Sequence, residues 1–169
     1  MSLEQTLIGE AYVGEKPEAA HVNVVLGRKG GPVETAWVTA LAAPRSGHVS
    51  FLTILQPNLP VKPLTLFVNK APIESDGHGN LTWGPAQAGV ARGVAEAVAE
   101  GIVPSEEVDD LLLVAAVWVD PRSTDERRVY EWNATATRQA LEAAVNGLPL
   151  IDDVIAVRSE PWNAFYRPE

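Results

Sequence analysis

Asp110–Val119, DLLLVAAVWV, is the stretch on which the fold turns. Every residue after Asp110 is apolar, so both faces of the alternating side chains are hydrophobic. A strand of that kind belongs in the middle of a sheet, covered on both sides. It falls well short of the ~18 apolar residues of a membrane span.

The flanks on either side read as helices. Upstream, PAQAGVARGVAEAVAEG places Val90, Val94 and Val98 on one helical face, with Gly101 set to end it. Between them, Ser105 with Glu106 and Glu107 could start one further helical turn. Downstream, Ser123 with Glu126 has capping-box spacing and opens a helix over 124–145, closed by Asn146, Gly147 and Pro149. Further out, strands are expected in LEQTLIGEAYVG (3–14), EAAHVNVVLG (18–27), HVSFLTILQP (48–57) and LTLFVNKAPI (64–73). PVETAWVTALAA (32–43) opens with proline at a helix start and spaces Val33, Trp37, Ala40 and Leu41 as a helical face. NLPVKP is extended and stiff, ESDGHGN (74–80) reads as a solvent-facing turn containing His78, and DDVIAVRSEPWNAFYRPE reads as irregular. Five strands and three helices predict an α+β two-layer sandwich, mostly antiparallel, with helices on one face, in a single domain over 1–169.

Composition narrows the function. The formal net charge of −9 argues against a nucleic-acid partner, which requires a basic footprint. There is no cysteine, hence no disulfide and no thiolate ligand. His21, His48 and His78 lack the tight spacing of a metal cluster, so no metal is expected. The N-terminal stretch shows no basic region followed by a long apolar run; no signal peptide and no membrane association are expected, and the cytoplasm is the expected compartment. GRKGG, with two basic residues among glycines, could cradle an anion but lacks a phosphate-loop pattern.

One strand carries side chains that a core does not explain. In EAAHVNVVLG, Val22, Val24 and Leu26 point one way, and His21, Asn23 and Val25 the other. An imidazole beside an amide suits a solvated sheet face; it also suits a site.

The order of motifs decides between these. IGEAYVGE, AAHVNVVLG, GGPVETAW, SFLTILQPNLPVKPLTLFVNKAPI, GPAQAGVARGVAEAVAEGIVPSEEVDDLLLVAAVWV and YEWNATATRQALEAAVNGLP together resemble the formaldehyde-activating enzymes over most of the chain. That resemblance implies condensation of formaldehyde with tetrahydromethanopterin, a co-substrate, to the methylene derivative and water. It also implies a ribosomal-protein-S5-domain-2-like fold and a homopentamer with pterin sites between neighbouring subunits. His21 matches the family's catalytic acid, and Leu52, Lys70 and Gln87 match residues that line the pocket or bind ligand. Asn23 stands where the family has aspartate, and Pro72 where it has threonine.

The chemistry makes the departures meaningful. Formaldehyde adds to a pterin nitrogen as a carbinolamine, whose hydroxyl leaves as water once protonated, giving an iminium. A histidine titrating near neutrality supplies and recovers that proton. A carboxylate beside it would stabilise imidazolium and iminium alike. Asn23 can still hydrogen-bond, to a pterin edge for instance, but carries no charge, and Pro72 has neither hydroxyl nor N–H. The sequence thus predicts a retained acid with weakened support: a working enzyme, or a non-catalytic paralogue that carries a methylene-pterin or senses formaldehyde. A scaffold without a ligand gives these polar residues no role.

Overall fold

The computed structural model describes residues 5–168. Of the stretches singled out above, Met1–Glu4 and Glu169 lie outside the described residues. The two-sided apolar stretch forms β7 (Leu111–Trp118) and lies at the centre of a five-stranded sheet. On one side β7 pairs antiparallel with β2 (Ala20–Arg28), which pairs antiparallel with β1 (Leu7–Val13). On the other, β7 runs parallel to β6 (Leu64–Asn69), which pairs antiparallel with β3 (Phe51–Leu52) at the edge. The sheet is therefore mostly antiparallel, with a single parallel pair joined through helices.

HVSFLTILQP is not one strand. The chain leaves the main sheet after Leu52, and β4 (Ile54–Gln56) folds back on β5 (Leu59–Pro60) as a separate hairpin. Asn58 turns this hairpin at φ 67°, a conformation asparagine tolerates. Thr53 marks the break, its N–H donating to Thr65 O and its carbonyl accepting from Val61 N.

The helices deviate from expectation in five places. ESDGHGN is α2 (Asp76–Leu81), started by Ser75, whose hydroxyl accepts from His78 N. His78 is buried, and its Nε2 lies 3.0 Å from Val119 O, so an unpaired carbonyl at the end of β7 outweighs the turn-forming composition. A π-helical turn (Thr82–Ala86) leads into α3 (Gln87–Ala99). The stretch at Ser105 makes turns rather than a helix. The long α4 (Glu126–Asn146) is capped by Asp125, which accepts from Arg128 N, because the Ser123 hydroxyl donates instead to Pro17 O at 2.6 Å. The C-terminal region contains a short α5 (Ile151–Ala156).

The helices do not all lie on one face. Gly9 sits opposite Val24 and would meet α4 if it had a Cβ, so α4 covers the Val22, Val24 and Leu26 face. Gly27, on the opposite face of the same strand, abuts Val33 of α1 (Pro32–Ala42). Helix α1 thus covers only one end of the second face, with Val33 buried and Val38 and Leu41 exposed. The rest of that face, where His21 and Asn23 point, stays open to the site.

Packing of α3 on α4 depends on small residues. A Cβ on Gly93 would lie 2.4 Å from Ala134 O, a backbone atom that cannot swing aside. Gly93→Ala should destabilise the fold by about 1–3 kcal/mol in urea unfolding. Gly77→Ala, with nothing within 4 Å, should be neutral or stabilising by up to about 1 kcal/mol. Equal effects would contradict this account of the interface.

Candidate active site

The site begins with the register of the first two strands. Glu10 pairs with Asn23, and Tyr12 with His21, so all four side chains share the open face. Glu10 reaches diagonally to His21, with Oε1 2.8 Å from Nε2. From across the sheet comes Lys70, one residue beyond β6, with its backbone N–H held by Val117 O at 2.8 Å. Its Nζ donates to Asn23 Oδ1 at 2.6 Å. His21, Asn23 and Lys70 therefore meet, as expected for one site, and Glu10 joins them.

Electrostatics couple these groups. Burial, aided by the Lys70 charge, pushes the His21 imidazole below its usual 6.5, and Glu10 works the other way. Burial pushes Lys70 down to about 8, again opposed by Glu10. Asn23 is neutral, so its carbonyl holds the Lys70 proton less firmly than a carboxylate would. The carboxylate that position 23 lacks thus reaches the histidine from position 10. The sequence predicts weakened support for the acid at position 23; the structure adds a carboxylate from Glu10 that this expectation did not include.

The C-terminal tail, read from sequence only as irregular, builds a wall. Trp162, Asn163, Ala164 and Phe165 enclose a cavity of about 660 Å³ with Glu10, Tyr12 and His21. That volume suits a small organic ligand. Phe165 packs edge-on against Trp118 at 5.4 Å, and Lys16 Nζ sits 3.5 Å over its ring.

Leu52 and Gln87 lie elsewhere in the same chain. Leu52 faces Leu66 on the edge strand, with β6 and β7 between it and β2. Gln87 is buried at the start of α3, its Oε1 accepting from Ile54 N at 2.7 Å. It lines a separate cleft with Ile54, Pro57, Trp83 and Tyr130, which shares no residue with the His21 cavity. Pro72 is exposed beside Gly47. His48 bonds Asn69 O through Nδ1 at 2.9 Å. GRKGG is no free cradle: Arg28 pairs with Glu107, Lys29 bonds Asp109 O, and Gly30 N–H bonds Glu34. Among the described residues no group of three or more acidic or histidine side chains could hold a metal.

The family profile of the formaldehyde-activating enzymes matches residues 8–166. The chain belongs to the formaldehyde-activating enzyme family. Among its relatives is a protein of Methanosarcina barkeri named 5,6,7,8-tetrahydromethanopterin hydro-lyase, 39% identical over 161 residues that cover 95% of this chain and 90% of that one. A bifunctional enzyme Fae/Hps of Methanococcoides burtonii is 44% identical over 149 residues, covering 88% of this chain but 38% of that one. The corresponding enzyme of Methanosphaera stadtmanae is 42% identical over 149 residues, 37% of its length. This chain thus spans nearly all of the hydro-lyase and under two-fifths of these two bifunctional relatives.

Glu10 should hold the His21 proton on. In Glu10→Gln the imidazole should titrate lower than in the parent, because the carboxylate that raises its pKa is gone. Imidazole NMR titration reads this directly. An unchanged or raised midpoint would remove Glu10 from the electrostatics of the site.

Proposed function

We propose that this formaldehyde-activating enzyme condenses formaldehyde with tetrahydromethanopterin to methylene-tetrahydromethanopterin and water, as a carbon–nitrogen lyase in one-carbon metabolism. The observation that carries the reading is the His21–Glu10 pair lining a ligand-sized cavity on the sheet face, with Lys70 bonded to Asn23 on the same face next to it. The name of the hydro-lyase relative agrees with it. His21, protonated, gives its proton to the departing hydroxyl, and Glu10 stabilises the imidazolium until then. Asn23 and Lys70 hold polar edges of the ligand. The carrier or sensor alternative drew its support from Asn23 and Pro72; Glu10 brings a carboxylate to the histidine that position 23 does not, and Pro72 still departs from the family pattern.

Leu52 and Gln87 complete the site from a neighbouring subunit in this proposal. Their distance from His21 within one chain supports it, as do the exposed apolar residues Ile8, Leu55, Leu59 and Trp83 around both halves. A head-to-tail ring brings one face against another and closes by rotation. In the same proposal the chain folds as a single S5-domain-2-like domain over 1–169, assembles as a homopentamer and acts in the cytoplasm, including in methylotrophy. No helix among the described residues is long and apolar enough to cross a membrane.

Stopped-flow condensation of formaldehyde with tetrahydromethanopterin, with and without protein, tests the activity against the unaided reaction. Acceleration is expected, and His21→Ala should reduce it by about 10²–10⁴-fold in a folded protein. No acceleration by the parent protein would refute the proposal. Light scattering should give five chains per particle; a monomer at micromolar concentration would refute the shared site.

A further inference from the structure

We propose that the Lys70 amine is itself the first acceptor of formaldehyde, carrying the carbon covalently before the pterin nitrogen receives it. This rests on the reading that the pocket takes formaldehyde, and it gives Lys70 a chemical step beyond ligand contact.

The geometry separates Lys70 from the other three lysines. Lys62 pairs with Asp109, Lys29 bonds the Asp109 carbonyl, and Lys16 sits over Phe165. Lys70 is half-buried, and among the described residues its one side-chain partner is the neutral Asn23 carbonyl. Glu10, the carboxylate on the same face, is engaged with His21. Other groups facing the cluster are Tyr12 from β1 and Trp118 from β7. An amide oxygen accepts one N–H from an ammonium or from a neutral amine. It can therefore orient the amine with its lone pair free, whereas a carboxylate would retain the proton. A lysine at about 8 is roughly one-tenth neutral at pH 7, about 300-fold more than one at 10.5. Lysines depressed in this way serve as carbonyl-capturing nucleophiles.

The steps balance. The Lys70 lone pair attacks the formaldehyde carbon, and the carbonyl π pair moves to oxygen, which takes up the proton lost from nitrogen. His21 protonates the carbinolamine hydroxyl, the C–O bond breaks with loss of water, and a Lys70 iminium forms. A secondary amine of the pterin adds to this carbon, giving an N–CH₂–N aminal. The Lys70 nitrogen is protonated and leaves as the amine. The second pterin nitrogen then attacks the carbon, and its lost proton restores His21. The sum is formaldehyde plus the reduced pterin giving the methylene pterin and water, with no oxidant or reductant required.

Reductive trapping tests the capture without pterin. The full-length protein at pH 7 is treated with dilute ¹³C-formaldehyde and cyanoborohydride, and methylation of each lysine is followed by peptide mass spectrometry. Lys70 should be methylated at least ten-fold faster than Lys16, Lys29 and Lys62. Asn23→Asp should bring the ratio towards one, and Lys70→Arg should leave the other three rates unchanged. A wild-type ratio near one overturns the proposal, whether or not the variants fold. An excess that survives Asn23→Asp overturns the part given to Asn23. Acceleration of pterin condensation without selective trapping would leave the enzyme reading standing and Lys70 as a contact only. Selective trapping without condensation would establish the capture and refute the enzyme.

Discussion

The open face of the sheet depends on one constraint, the burial of Val22, Val24 and Leu26 against α4. These three side chains are fully excluded from solvent. Slipping β2 by one residue would exchange them for His21, Asn23 and Val25, placing an imidazole and an amide in the core. The hydrophobic face therefore fixes where the polar one points. Because β1 and β7 are hydrogen-bonded to β2 on either side, the same register brings Glu10 and Tyr12 to the site. It also puts β7 in place to receive Lys70 through Val117 O.

Within that frame the charges are shared rather than paired off. Glu10 raises both His21 and Lys70, the Lys70 charge lowers His21, and burial lowers both. The outcome is an imidazole inclined to give up its proton beside an amine inclined to be neutral. An acid and a nucleophile with such tendencies fit a reaction that must expel water from a carbinolamine. The aromatic tail, through Trp162 and Phe165, walls one side of the cavity that His21 and Glu10 line.

Much of the fold was legible because hydrophobic alternation is an unambiguous signal. The two-sided run Leu111–Trp118 placed itself at the sheet's centre, and the valine face of β2 separated core from site. Elements decided by tertiary hydrogen bonds were not legible. His78 is drawn inside by the Val119 carbonyl, and the Ser123 hydroxyl is taken by Pro17 from the opposite end of the chain. Helix α1 was expected, but not its place on the second face, because its spacing of apolar residues does not say which side of a sheet it covers. Of the site, His21, Asn23 and Lys70 came together as the family resemblance implied. Glu10 was missed, though a signal existed: counting back through the turn pairs Tyr12 with His21 and leaves Glu10 diagonal to it. The Trp162–Phe165 wall carried no periodicity by which to find it.

The balance of charge around the cluster is read most directly from the titration of Lys70. Carbon-13 NMR of the lysine side chains, assigned with Lys70→Arg, reports the ammonium midpoint in the intact protein. A midpoint near 8 that rises when Asn23 is replaced by aspartate is the result this account predicts. A midpoint at the ordinary 10.5, unmoved by that substitution, would contradict it.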